Sequence, residues 1–370
     1  MSTSEYLWYI PNQIEAGHRG DVSILNHNSL ETLTEHAKTL EQHGWKGALI
    51  GTGWGRPDTF TLAAALAART TSFEPLIAIR PGYWRPANFA SAAATLDHLS
   101  NGRVRINIVS GQDNLAAYGD SEGDQVQRYG RTREFMRLIR RLWTEEEITH
   151  EGDYFSLTRT TVVPRLVPKT DRLHPTLYFG GASAAAEQVS ATEADVQLFW
   201  GEPLDGVAER IARLKALSLK LDRDLPPLQF GLRITTLVRD TSEQAWAEAE
   251  SRMNTMAARP NKGNRRSQPA VGQQRLLDLQ ARGDVIDDNL FTAPGRLGGG
   301  GAGTTWLVGS AQEVAQSLLK YQSLGISHFV LSDTPYLPEI RRQGSQLLPL
   351  LRDKLDSPAN SDSSNRRQLA

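Results

Sequence analysis

Cysteine is absent from all 370 residues, which removes thiolate nucleophiles, Cys-ligated zinc and disulfides together. The eight histidines are scattered, and no His/Asp/Glu group has metal-ligand spacing, so no metal site is expected. No stretch of about 18 apolar residues occurs anywhere, and the opening MSTSEYLWYIPN has no basic segment followed by a long apolar one. The expectation is a soluble, cytoplasmic protein without a membrane partner. Charge of one sign is lacking too: 41 basic residues face 42 acidic ones, a net of −1. That leaves no electrostatic footprint for nucleic acid or an anionic lipid surface.

What is present is alternation. Short apolar, β-branched runs at 7–11, 47–51, 76–80, 104–111, 177–181, 196–201, 230–239 and 328–332 are each followed by a helical pattern. These lie at 30–43, 58–69, 87–99, 125–143, 183–193, 204–219, from 242 onward, and at 340–355. Runs apolar on both faces suit strands buried in a parallel sheet. Eight such pairs favour an α/β fold of the (β/α)8 TIM-barrel type over an open doubly wound sheet. The expected organisation is one barrel domain over 1–355 with insertions near 148–163 and 254–305. The first insertion has the pattern of a hairpin turning at Glu151-Gly152-Asp153. The polar stretch 356–370 is expected to be disordered or an arm reaching a partner.

The second insertion carries LGGGGAGTTWLVGS, in which Gly298, Gly300 and Gly303 satisfy G-x-G-x-x-G. That fingerprint needs a strand entering and a helix leaving. Here FTAPGR is turn-rich and TTWLV is strand-like, so a flexible loop is expected instead of a phosphate cradle.

Barrel chemistry gathers at the C-terminal ends of the strands. Those ends carry Asn12 and Gln13, Thr52 and Trp54, Arg80, Asn107 and Ser110, Gly181 and Ser183, Trp200 and Glu202, Arg233 and Thr235, and Ser332 to Tyr336. The set is rich in amides, hydroxyls, arginines and aromatics. Glu202 and Asp333 are the carboxylates available for a glycosidase pair. Arg233, between apolar neighbours, is expected to meet an anionic ligand, whereas Arg80 is equally a strand-end ion pair. Trp200 suits core packing as well as a site. Ser183 is a helix N-cap whose geometry also gathers N–H groups for a phosphate.

TLDHLSNGRVRINIVSG (95–111) and QRYGRTREFMRLIRRLW (127–143) resemble the bacterial luciferase-like flavin monooxygenases. LYFGGAS, FWGEP, FGLRI and VGQQR are similar to the alkanesulfonate monooxygenase group. The resemblance runs in order from Leu7 to about Leu351. It implies a luciferase-like (β/α)8 barrel that takes reduced FMN from a separate NAD(P)H-dependent flavin reductase, consumes O2, and cleaves an organosulfonate to sulfite and an aldehyde. It implies a homodimer or homotetramer as well.

Carried over by position, Tyr129 and Ser183, with Gly181, match the FMN phosphate site. Asn107 and Ser110 match positions beside the flavin ring, and Arg80 joins the cofactor side. Trp200 and Arg233 match catalytic positions, and Tyr336, two residues past the position where relatives have tyrosine, is expected to reach the same space as a third catalytic residue. The substrate side departs from the group's pattern. Gln13 and Thr235 stand where relatives have histidine, Arg56 where they have cysteine, Thr334 where they have tyrosine, and Gly299 where they have arginine, with Arg296 the nearest substitute. Asn12, Gln13, Thr235, Thr334 and Tyr336 would supply neutral donors and acceptors that suggest a hydroxylated sulfonate, with Trp54, Arg56 and Arg296 also expected on the substrate side. A sulfosugar such as sulfoquinovose is expected first and simple alkanesulfonates second. The alternatives are a deazaflavin-dependent oxidoreductase, a sulfone or pyrimidine monooxygenase, or a noncatalytic binder.

Overall fold

The computed structural model describes residues 4–10, 29–111, 113–120, 124–258 and 269–356. Among the described residues thirteen strands follow in chain order. They are β1 (Glu5–Ile10), β2 (Gly47–Ile50), β3 (Glu74–Ile79), β4 (Arg105–Ile108), β5 (Ile148–Glu151), β6 (Ser156–Thr160) and β7 (Leu177–Phe179). Then come β8 (Val196–Trp200), β9 (Gln229–Arg239), β10 (Val285–Ile286), β11 (Leu290–Phe291), β12 (Trp306–Ser310) and β13 (Ile326–Ser332).

Eight of them close a parallel barrel in the order β1-β2-β3-β4-β7-β8-β9-β13, with β13 returning to β1 and β8 pairing β9. The eight apolar runs of the sequence are these eight strands. They read as continuous apolar stretches because both faces are covered. In β1, Leu7 and Tyr9 point into the barrel with Leu49, Leu76, Ala78 and Val330, while Tyr6, Trp8 and Ile10 pack outward against the helices. That alternation is the period of two of a strand.

Helix starts are set locally. Ser29, Asp58, Asp124, Ser183 and Ser310 each accept a backbone N–H of the first turn through the side chain, the usual cap chemistry. Among the described residues no helix is long and apolar enough to cross a membrane.

The stretch 148–163 contains the antiparallel hairpin of β5 and β6. The later stretch is more structured than its glycines suggest. β9 is eleven residues long, and its last residues run beyond the pairing with β8. There Thr235–Arg239 take β12 as a parallel neighbour, and β11 and β10 extend that edge antiparallel. The WLV of TTWLV therefore does begin a strand, outside the barrel. The helix Ala311–Ser323 follows it, opened by a Ser310/Glu313 capping box, and had no counterpart in the sequence reading.

Candidate functional site

A cavity of about 300 Å3 opens where the strands end. Its walls come from Gly51 and Thr52 after β2, Asn107 to Gly111 at β4, Gly180 to Ser183 after β7, Trp200 and Glu202 at β8, and Arg233 of β9. Gln125, Arg128 and Tyr129 of the helix Gln125–Thr144 close one side, and Ala270 to Gly272 close another. This volume is at the small end of the range for ligand sites.

One end of the cavity is built for an anion. Ser183 caps the helix Ala184–Glu193, accepting from Ala186 N at 3.3 Å, so the helix's positive end faces the space. The Gly181 carbonyl accepts from Arg210 Nη2 at 2.6 Å and Gln197 Nε2 at 3.2 Å. In a trans peptide the N–H of Ala182 then points the opposite way. Gly181 itself is required: a Cβ there would lie 2.5 Å from the Ala186 Cβ. Tyr129 stands beside Ser183, and burial raises its phenol pKa. Arg210 is fixed in turn by Glu202 at 2.8 Å.

Toward the middle, Asn107 is buried, and its Oδ1 has no hydrogen-bond partner among the described residues. Such an acceptor in a cavity wall calls for a donor from a ligand. Ser110 shares its hydroxyl with Thr132 at 2.6 Å. Trp200 both lines the cavity and packs with Leu276, Leu279 and Ile286. Gly272 lies close enough that a Cβ would stand 3.5 Å from the indole.

Arg233 brings a cation to the same wall. The Arg233 guanidinium lies 4.2 Å from the centroid of the Tyr9 ring, and Arg56 Nη1 donates to the Tyr9 hydroxyl at 3.0 Å. The Tyr9 phenol raises the Arg56 pKa against the opposing effect of burial.

The cavity thus brings together Asn107, Ser110, Tyr129, Gly181, Ser183, Trp200 and Arg233. The other expected residues sit elsewhere. Arg80 is buried behind the wall, donating to the Gly111 carbonyl at 2.6 Å and pairing with Asp113 at 3.2 Å. Trp54 is half exposed, its ring edge-on to Tyr118 at 4.9 Å. Tyr336 packs inside the barrel with Leu7 and Tyr9, and against the His36 ring. Thr235 is buried and donates to the Gly303 carbonyl at 3.3 Å, toward β12 and away from the cavity wall.

Thr334 is buried as well, with its carbonyl held by Arg252 at 2.7 Å. Arg296 is a surface residue in a two-pronged pair with Asp284 at 2.6 and 2.8 Å, so it does not replace the arginine that relatives carry near the glycines. Asn12 and Gln13 lie outside the described residues, as do 261–268 and the tail from 357. Glu202 is committed to Arg210 and Arg275, and Asp333 to Arg252, so neither is poised as one of a carboxylate pair.

Sequence reasoning missed Tyr9, which looks like core in an apolar strand, and Arg128, one residue before the Tyr129 that was singled out. It missed Ala270 to Gly272 as a wall too.

The luciferase-like monooxygenase family profile matches residues 4–328. Among solved structures, the chain is similar to riboflavin lyase RcaE, determined with modified FMN and riboflavin, at 20% identity, TM-score 0.76, covering 95% of this chain and 92% of that one. EDTA monooxygenase EmoA from Chelativorans sp. BNC1 gives 17%, 0.75, 95% and 94%. The coenzyme F420-dependent tetrahydromethanopterin reductase of Methanopyrus kandleri gives 15%, 0.70, 95% and 100%. At these identities the structures speak for the fold, and the profile match over most of the chain speaks for the family. The chain belongs to the luciferase-like monooxygenase family.

Proposed function

We propose that the chain is an FMN-dependent monooxygenase that cleaves the C–S bond of an organosulfonate. The observation that carries this reading is one cavity whose wall joins two anion-receptive features, the Gly180–Ser183 helix start and the Arg233 guanidinium. A cofactor phosphate suits the first and an anionic substrate head the second.

The residues present fit FMN. Ser183, Tyr129, Arg128 and the Ala182 N–H would hold the phosphate, and the unsatisfied Asn107 Oδ1 would accept from the ring beside Ser110. Reduced FMN, supplied by a separate NAD(P)H-dependent reductase, provides two electrons to activate O2. Overall, sulfonate, O2 and reduced FMN give aldehyde, sulfite, water, a proton and oxidised FMN.

The chain's own residues bind and orient. Arg233 faces the head with a planar donor fork. Trp200, seated under Gly272, walls the middle of the cavity, and the helix Val271–Asp278 covers it against water.

Within organosulfonates we place a sulfosugar such as sulfoquinovose ahead of simple alkanesulfonates. The support is Trp54, two residues past Thr52 of the cavity wall, half exposed and edge-on to Tyr118, an aromatic face that can take the C–H face of a sugar. A homodimer or homotetramer in the cytoplasm belongs to the same proposal.

The test is sulfite release from sulfoquinovose and a series of alkanesulfonates, with an added flavin reductase, NAD(P)H and O2. Arg233→Ala should lower kcat/KM by about 10- to 100-fold, the worth of a charge-assisted hydrogen bond. Absence of sulfite with every sulfonate would sink the reading. Turnover with reduced deazaflavin in the absence of O2 would replace it with hydride transfer.

A further inference from the structure

Glu202 stands two residues past β8 with its side chain 5% exposed. Its backbone is anchored from outside the barrel, the carbonyl accepting from the Tyr321 hydroxyl at 2.7 Å. The two carboxylate oxygens serve different elements. Oε1 accepts from Arg210 Nη1 at 2.8 Å, and Arg210 belongs to the helix Leu204–Lys220. Oε2 accepts from Arg275 Nε at 2.9 Å and from Arg275 Nη2, and Arg275 belongs to the helix Val271–Asp278 that covers the cavity. Gly206 makes the room, since a Cβ there would stand 3.3 Å from Oε2.

Arg210 carries the contact on to the anion-receptive helix start. Its Nη2 holds the Gly181 carbonyl at 2.6 Å, and its Nε lies 3.4 Å from Glu187. The peptide held by that carbonyl presents the Ala182 N–H on its other side, and Ala182 is cavity wall. Polarising the carbonyl of a peptide strengthens its N–H as a donor. Arg210 and Glu202 line the cavity, whereas Arg275 is not part of its wall. One carboxylate thus joins the covering helix to the peptide that meets a phosphate.

We propose that Glu202 is a positioning residue that couples the flavin phosphate seat to the docking of the helix Val271–Asp278. This rests on the FMN reading of the cavity given above. The docked helix holds Glu202, Glu202 holds Arg210, and Arg210 fixes the Gly181–Ala182 peptide before the phosphate arrives. By linkage, a phosphate on that peptide tightens the docking of the helix by the same factor. The cavity is then covered most firmly when the cofactor is in place, which is when water must be kept out.

The test compares FMN with riboflavin, the same ring without the phosphate, by flavin fluorescence titration of the full chain. Arg275→Ala is expected to weaken FMN about tenfold and riboflavin by less than about twofold. The difference should persist at about 0.5 M salt, where the loss of a charge alone would be screened. Glu202→Gln is expected to match it, and the double variant to be no weaker than Glu202→Gln alone, because both act through one carboxylate. In the wild type, FMN should slow amide hydrogen exchange across 271–282 about tenfold more than riboflavin does, and in Arg275→Ala the two ligands should slow it alike. A merely structural role would weaken both ligands equally. Equal losses for FMN and riboflavin, an unchanged FMN affinity in Arg275→Ala, or additive effects of the two substitutions overturn the proposal. If the wild type binds riboflavin as tightly as FMN, the phosphate seat itself fails, and the coupling fails with it.

Discussion

Glu339 shows how much one buried carboxylate can weigh. It is 1% exposed in the first turn of the helix Tyr336–Gln346. One oxygen faces Arg239 at 3.2 Å and Arg342 at 3.4 Å, and the other has no partner among the described residues. Burial and the nearby charge of Asp333 outweigh Arg239, Arg342 and Arg252 and push its pKa up to about 7. The folded protein then holds a proton that the unfolded chain releases near the ordinary 4.5. Between those values the unfolded state binds fewer protons, so stability falls as pH rises through the window. Glu339→Gln removes the titration. It should unfold like the wild type at pH 4 and be more stable at pH 8, by up to about 3 kcal/mol. Urea unfolding of both proteins at the two pH values checks this, and parallel behaviour would show that Glu339 titrates normally.

At the scale of elements, the glycine run has acquired a purpose other than freedom. Gly299 and Gly300 take φ of +72° and +71°, a region that favours glycine. They end the short helix Pro294–Gly298. A Cβ on Gly300 would stand 2.5 Å from the Gln273 carbonyl oxygen, whereas one on Gly299 meets nothing within 4 Å. Gly300 thus lets its turn dock on the helix Val271–Asp278, which Arg275 also ties to Glu202. Gly300→Ala should loosen that helix, speeding amide hydrogen exchange across 271–282 about tenfold or more. Gly299→Ala should show the smaller effect of backbone strain alone, about 1 kcal/mol. Equal exchange in the two variants would remove the docking role.

The sequence concealed this because a glycine run looks the same whether it is loose or closely packed. The barrel strands were legible, since burial on both faces writes an unbroken apolar run. Asn107, Ser110, Gly181, Ser183, Trp200 and Arg233 were legible because they follow from where strands end. Thr235 was not, because β9 outruns β8 and its continuation faces β12. Arg296 was not either, because its partner Asp284 comes from a neighbouring turn that no spacing rule connects to it.

Across the whole molecule, the two ends of the barrel have divided labour, as barrels commonly do. The cavity lies at the C-terminal ends of the strands. The N-terminal ends are closed by a polar plug centred on Arg105 of β4, which reaches Glu5 of β1 and Glu74 of β3, each at 2.5 Å, and the Tyr178 hydroxyl at 2.8 Å. His328 of β13 adds contacts to Glu5 at 3.1 Å and Gln229 at 2.7 Å. Six strands are joined by this one network, so it helps fix the register in which the barrel closes. Burial alone would raise the Glu5 pKa, but hydrogen bonds and charge from His328 and Arg105 override it and hold the carboxylate well below the usual range. For a depressed carboxylate the stabilisation is fully present above the unfolded value, near 4.5, and is lost progressively as pH falls from there through the folded value.

Arg105→Leu takes the shared guanidinium from two half-buried carboxylates, of which Glu74 keeps Lys46 at 2.9 Å, and should cost about 3 kcal/mol at pH 7, the low end for a broken buried pair. Arg105→Lys should fall between that variant and the wild type, since a point charge cannot serve three partners with one fork. Below pH 4.5 the gap should begin to narrow, because Glu5 takes up a proton in the unfolded chain while it stays ionised in the folded wild type. FMN affinity should stay unchanged throughout, since the plug and the cavity occupy opposite ends. Denaturant unfolding at pH 7 and pH 3.5, paired with flavin titration, measures both. A deficit independent of pH would mean that Arg105 acts through packing and not through charge, and a loss of FMN affinity would mean that the two ends are coupled.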